Sequence, residues 1–182
     1  MILFAQENDD REKQANTLCD LAADNFQNNN VEEARKLLQK AIEVCPHHAM
    51  SWHNLGVYYK VTGKFNESME CYNKALQFSS NPDFAYSRGV LLLQPNFCKN
   101  TGTSSDPIKI TGARHHFEGI QMEYLYINLH YGTPDNDWFK VSQKLGSIDG
   151  KLCDEITIRL RNGAQKSIFF DISEFFGKMK GV

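Results

Sequence analysis

No stretch of this 182-residue chain holds more than five consecutive apolar residues, far short of the roughly 18 that a bilayer-spanning helix needs. Neither charge is in surplus. Twenty basic and 22 acidic side chains leave −2 at neutral pH, which excludes bulk electrostatic binding to nucleic acid or an anionic membrane. The halves hide no surplus either, with −3 on residues 1–106 and +1 on residues 107–182. Cysteine is sparse: Cys19, Cys45, Cys71, Cys98 and Cys153 are odd in number, at least 26 residues apart, and form no C-x-x-C pair. A disulfide framework or zinc knuckle is therefore not expected, and buried reduced thiols are. Met1–Ala5 is apolar but turns acidic at Glu7, Asp9 and Asp10, without a basic leader or an apolar region of secretory length. That predicts a soluble, cytoplasmic protein. Nucleophile-elbow, phosphate-loop, zinc-protease and dinucleotide signatures are all missing.

What the chain has is a period. A shift of 34 residues superposes Leu18 on Trp52, Leu21 on Leu55, Ala22 on Gly56, Leu38 on Tyr72 and Ala41 on Ala75, large on large and small on small. Within each copy, apolar residues recur at helical intervals in paired segments, about 11–27 with 31–44 and 49–61 with 65–78. Asn28–Asn30, Thr62-Gly63 and Pro46 supply the turns. Each pair predicts an antiparallel helical hairpin. Ala22, Gly56, Ala41 and Ala75 are small where helices must approach closely, while Trp52, Tyr59 and Tyr72 fill the space between hairpins. A third copy opens at Asp83 with Ala85-Tyr86 and stops at Pro95 after one helix.

Trp52-x2-Leu55-Gly56-x2-Tyr59 with Tyr72-x2-Ala75, and Ala34-x3-Leu38-x2-Ala41-x4-Pro46 one period earlier, resemble the tetratricopeptide repeat over residues 11–94. Three positions depart from the pattern: Asn25 stands where Tyr59 stands, Ser68 where Ala34 stands, and Gly89 where Leu21 and Leu55 stand. The resemblance implies a superhelix whose concave face binds a protein or peptide segment. By that resemblance the groove is lined by Asn16, Cys19, Ala23 and Phe26, then Met50, His53, Asn54, Val57 and Lys60, then Phe84, Ser87, Arg88 and Leu91. One subgroup of the family grips a terminal carboxylate with lysine, arginine and asparagine side chains. Asn54 and Arg88 match that pattern, but Cys19, Ala23 and Phe84 occupy the other places, so most of the needed charge is missing. A segment with apolar anchors against Phe26, Val57 and Phe84, and an acidic group near Lys60 and Arg88, fits better. Val90–Leu93 is apolar on every side and cannot face water, so the rest of the chain or a second copy must cover it.

Residues 95–107 have linker composition. Residues 108–182 then predict a small α+β domain with an antiparallel sheet and the order β-β-α-β-β-α. Strands are expected at Tyr124–Tyr131, Ile156–Leu160 and Ile168–Phe170. A helix is expected after Thr133-Pro134, carrying Trp138, Val141 and Leu145, and another near Ser173–Met179. Across Arg161-Asn162-Gly163, a three-residue loop with Gly163 left-handed aligns Ile156 with Ile168 and Leu160 with Ala164. A two-residue turn would instead oppose Arg159 to Lys166. His115, His116 and His130 are the metal-ligand candidates, but neighbouring histidines on a strand face opposite ways, and no metal or cofactor is expected. The basic residues Arg159, Arg161, Lys166, Lys178 and Lys180 read as a solvated sheet face, not a nucleic-acid surface. The reading is a non-catalytic interaction adaptor or scaffold with its C-terminal domain covering the array. The rivals are an enzyme in the second half to which the repeats recruit substrate, and a homo-oligomeric scaffold. Three or more titratable side chains of residues 108–182 converging on one concave pocket would favour the enzyme.

Overall fold

The computed structural model describes residues 2–95 and 97–177. The chain divides into two compact units between Phe84 and Ala85. In the first, helices α1 (Ile2–Gln27), α2 (Val31–Val44), α3 (Ala49–Val61) and α4 (Phe65–Phe78) pack as two successive hairpins. Three of the four helices keep the limits that the periodicity predicts. The first begins nine residues earlier than expected, and an ion pair one turn apart, Lys13 Nζ to Asp9 Oδ2 at 2.6 Å, links the expected helix to its extension.

The small residues lie where the helices close. Ala22, Ala34, Ala41 and Ala75 are buried, and a Cβ on Gly56 would lie 2.7 Å from the ring of Tyr72, itself wholly buried. The departures from the repeat pattern have local causes. The Ser68 hydroxyl is buried and donates to the Gly56 carbonyl at 2.7 Å, so it bonds the two helices where alanine would only pack. Asn25 donates to the Leu21 carbonyl at 2.8 Å, and its own carbonyl accepts from the Asn30 backbone at 2.8 Å. The side chain thus folds back onto the helix's own backbone, and the main-chain bond from Asn30 satisfies one of the carbonyls left over at the end of α1. The third departure, Gly89, is explained by the second unit.

Helix α5 spans Pro82–Leu92. From Ala85 onward it belongs to the second unit, with strand β1 (Ile108–Lys109), helix α6 (His116–Tyr131) and strands β2 (Trp138–Ile148), β3 (Lys151–Leu160) and β4 (Gln165–Asp171). The sheet order is β1-β4-β3-β2, antiparallel except for the parallel β1·β4 pair. Leu93 is 2% exposed and joins Ile108, Ile110, Met122, Ile127, Ile156, Ile158 and Phe170 in one cluster, with Val90 packed against it. The apolar turn that cannot face water is thus covered by the chain's own second half. A Cβ on Gly89 would sit 2.0 Å from the Thr111 carbonyl oxygen, so glycine is what lets α5 lie against that backbone. Among residues 97–107, the Asp106 carboxylate accepts from the Thr101 backbone at 2.8 Å and from Asn100 Nδ2 at 2.6 Å, making an ordered loop of a segment with linker composition.

Two expected elements of this half exchange places. Tyr124–Tyr131, expected as a strand, is the end of α6: Gly119, Met122, Glu123, Tyr126 and Ile127 form its buried stripe, a helical period that the aromatic alternation mimics. Trp138–Leu145, expected as helix, is in β2. Val141 and Leu145 are 48% and 54% exposed, and a bulge between Lys140 and Ser142 breaks the strand's alternation into helix-like spacing. Thr133-Pro134 opens a loop, not a helix, closed by the Asp137 carboxylate accepting from the Thr133 backbone at 2.8 Å. Ser173–Gly177 is a run of turns; Lys178 and Met179, with Lys180, lie outside the described residues. The hairpin has the predicted register, with Ile156 opposite Ile168, Leu160 bonded to the Ala164 carbonyl at 2.8 Å, and Gly163 at φ +85°.

Candidate functional site

In the first unit, α1 and α3 bring residues from successive repeats onto one wall. Cys19, Ala22, Ala23, Phe26 and Gln27 of α1, Leu38 of α2, and Asn54 and Val57 of α3 line an open pocket of about 250 Å³. The Phe26 and Val57 side chains are half-buried, so each has packing on one side and an open face on the other. Gln27 and Asn54 are the amides beside them, with Asn54 Oδ1 3.3 Å from His53 Nδ1. Of the residues expected to line the groove, Cys19, Ala23, Phe26, Asn54 and Val57 meet in this pocket. His53 and Lys60 are half-buried on the same helix. Phe84 is only 3% exposed, with the His53 ring stacked on it at 4.6 Å, so it is not an open anchor point. Ser87 and Arg88 are half-buried residues of the second unit.

A polar chain runs behind the pocket: Cys19 Sγ lies 3.2 Å from Ser51 Oγ, which is 2.7 Å from His48 Nδ1, whose Nε2 is 3.1 Å from Asn16 Oδ1. It has the residue types of a nucleophilic relay without the electrostatics. Ser51 is wholly buried, and burial pushes the Cys19 thiol up and the His48 imidazole down. The chain ties α1 to α3.

A second pocket, of about 380 Å³, lies within the second unit. His116, Ile120 and Glu123 reach it from one face of α6, Gln143 and Leu145 from β2, and Asp154 from β3, with Ile172 and Phe176 completing the wall. Glu123 is 1% exposed and Asp154 6%. Burial, then the neighbouring Asp154, pushes the Glu123 carboxyl up to about 8. Burial raises Asp154 as well, opposed by the Gln143 amide that donates to it and by the charges of Lys140 and His116. The convergence expected of an enzyme is thus met by three titratable groups, of which the sequence singled out only His116. Glu123 was hidden by the misread helix. Asp154 falls in step with Ile156 and Ile158 on the buried face of β3.

The three histidines weighed as metal-ligand candidates have separate surroundings, His116 being in the second pocket. His115 caps α6, accepting from the Glu118 backbone at 3.4 Å, and His130 stacks on Tyr126 at 4.0 Å with Nε2 3.2 Å from the Leu93 carbonyl. Among the described residues, no group of three or more His, Cys, Asp or Glu side chains could hold a metal ion. Among them, too, no helix is long and apolar enough to cross a membrane.

Residues 13–81 match the family model for the tetratricopeptide repeat. A search of curated proteins finds no match. Among solved structures, MamA is 17% identical with a TM-score of 0.44, over 65% of this chain and 59% of that one. The Yersinia enterocolitica type III secretion chaperone SycD, in complex with a peptide of the translocator YopD, is 17% identical with a TM-score of 0.42, over 63% and 75%. YrrB, a TPR protein with an unusual peptide-binding site, is 18% identical with a TM-score of 0.44, over 70% and 57%. This chain thus spans less than two thirds of MamA and of YrrB.

Proposed function

We propose, taking residues 13–81 as tetratricopeptide repeats, that the chain is an interaction adaptor whose first unit binds a protein segment by one large apolar side chain. The observation that carries the reading is the open pocket between Phe26 and Val57. A largely apolar wall with the amides of Gln27 and Asn54 beside it gains from burying an aliphatic or aromatic side chain, while the amides orient the segment's backbone. Lys60, one turn beyond Val57, favours an acidic residue next to that anchor. A carboxylate clamp is not part of the reading, because Phe84 is interior and Cys19 and Ala23 bring no charge.

Peptides selected from a displayed random library on the full-length protein are expected to share a large apolar residue. Val57→Glu is expected to weaken the best of them at least tenfold, about 1.4 kcal/mol. The melting temperature should hardly change, because Val57 is already half open to solvent. Unchanged affinity in that variant would place binding elsewhere.

One observation favours a second reading, an enzyme in the second unit: the convergence of His116, Glu123 and Asp154 on one pocket. A protonated acid beside a second carboxyl and an imidazole has the groups that proton transfer requires.

A further inference from the structure

The two buried acids of the second pocket stand at positions that ordinarily hold core residues. Glu123 shares the inward stripe of α6 with Met122, Tyr126 and Ile127, and Asp154 continues the Ile156–Ile158 face of β3. Each leaves an oxygen buried without a hydrogen-bond partner, Glu123 Oε2 and Asp154 Oδ1. Such groups cost stability unless something completes them. The unit's other buried acids are completed internally. Glu118 receives Arg114 Nε at 2.7 Å and the Arg114 backbone at 2.9 Å. Asp171 accepts from the Ser173 backbone at 3.1 Å and faces Lys151 Nζ at 3.6 Å. Glu123 and Asp154, by contrast, line an open pocket whose other walls are Ile120, Leu145, Ile172 and Phe176.

We propose that this pocket binds an organic cation, an aliphatic ammonium or guanidinium group on an apolar stem, with Glu123 and Asp154 as its counter-charges. The chemistry follows from the walls. At neutral pH the proton on Glu123 is the one hydrogen the two carboxyls share, so a ligand that replaces it must bring N–H groups and positive charge. The apolar side chains suit methylenes, and Phe176, 41% exposed with the His116 ring packed across it at 5.5 Å, adds an aromatic wall. A metal ion fits less well, since the described residues offer no three-ligand cluster. Lys140 Nζ is held by the Tyr124 hydroxyl at 2.7 Å and by Gln143 Oε1, and from there its charge offsets only part of the rise that burial imposes on the two acids. The groups facing the acids are therefore His116 from α6 and Lys140 and Gln143 from β2. Glu123 holds its proton at neutral pH, and cation entry displaces that proton to solvent, leaving carboxylate against ammonium.

The probe is n-butylammonium, titrated calorimetrically into the full-length protein, with n-butanol as its uncharged counterpart. Binding is expected to be at least about tenfold tighter near pH 8.5 than near pH 6, with proton release seen as a dependence of the heat on the buffer's ionisation enthalpy. Glu123→Gln and Asp154→Asn keep the shape and remove the charge, and each is expected to weaken binding at least tenfold. N-acetyl-lysine methylamide distinguishes the source: tighter binding than n-butylammonium assigns the site to a protein side chain, and equal or weaker binding to a free amine. The proposal is overturned if n-butanol binds as well as the cation, if both variants bind normally, if magnesium or zinc ions displace the amine stoichiometrically, or if nothing binds at millimolar concentration. The site is separate from the pocket of the first unit, so Val57→Glu should leave this titration unchanged.

Discussion

Replacing Gly89 with valine is expected to cost the second unit about 3 kcal/mol or more, enough to leave it largely unfolded if its stability is ordinary. The first carbon of any side chain there would stand 2.0 Å from the Thr111 carbonyl oxygen and 3.0 Å from Met122 Cε. Met122 is flexible, but the carbonyl belongs to backbone that cannot retreat. Just beyond it, Gly112 is itself pinned, because a Cβ at that position would meet the Ala85 carbonyl at 2.2 Å. Helix α5 would have to lift away, exposing Val90 and Leu93. The helix-propensity gain of leaving glycine, a few tenths of a kcal/mol, is too small to offset this. Trp138 is buried and donates to the Gly132 carbonyl at 3.0 Å, so its fluorescence in a Trp52→Phe background reports on the second unit alone. Gly146→Ala, where an added Cβ meets nothing within 4 Å, is the matched control and should melt like the parent. Equal melting of the Gly89 variant would contradict the packing described.

The second large effect is a pH dependence with a defined sign. The Glu123 carboxyl titrates near 8 in the folded protein against an ordinary value of 4.5, so the folded state holds the proton more tightly than the unfolded chain. Stability from this group is therefore fully present below about 4.5, declines as pH rises between the two values, and levels off above about 8. Asp154, also raised, acts in the same direction. Glu123→Gln imitates the neutral acid at every pH. Near pH 5 it should match the parent within about 0.5 kcal/mol, and near pH 9 it should be more stable by about 1–3 kcal/mol, the cost of a buried group without a partner. Urea unfolding followed by Trp138 at the two pH values measures the difference. Parallel pH profiles for parent and variant would mean that Glu123 is solvated or already paired.

How much of this was legible in the sequence depended on how many residues carried each signal. The repeat stack was readable because Ala22, Gly56, Ala41 and Ala75 recur in register with Leu18, Trp52 and Tyr72, so a period is written many times over. The β3–β4 hairpin was readable because only one register pairs Ile156 with Ile168 without opposing like charges. Helix α6 and strand β2 were exchanged because each carries the other's spacing: Tyr124–Tyr131 alternates by chance within a helical stripe, and the bulge at Lys140–Ser142 gives a strand intervals of three and four. That exchange also concealed the second pocket, whose helical wall is His116, Ile120 and Glu123 at intervals of four and three. An acid in the apolar stripe, Asp154 before Ile156 and Ile158, was the available signal, since a charge on a core-facing strand position breaks the pattern that folds the sheet. Gly89 looked like a weakened repeat because the residue it makes room for, Thr111, is distant in sequence.

The pocket between α1 and α3 is best tested by amide chemical-shift mapping of the full-length protein with a library-selected peptide and with the same peptide after alanine replaces its apolar anchor. The account predicts perturbations gathered at Cys19, Ala23, Phe26, Asn54 and Val57, and none at matched concentration for the alanine peptide. Perturbations gathered on other residues of the chain, or unchanged by loss of the anchor, would contradict it.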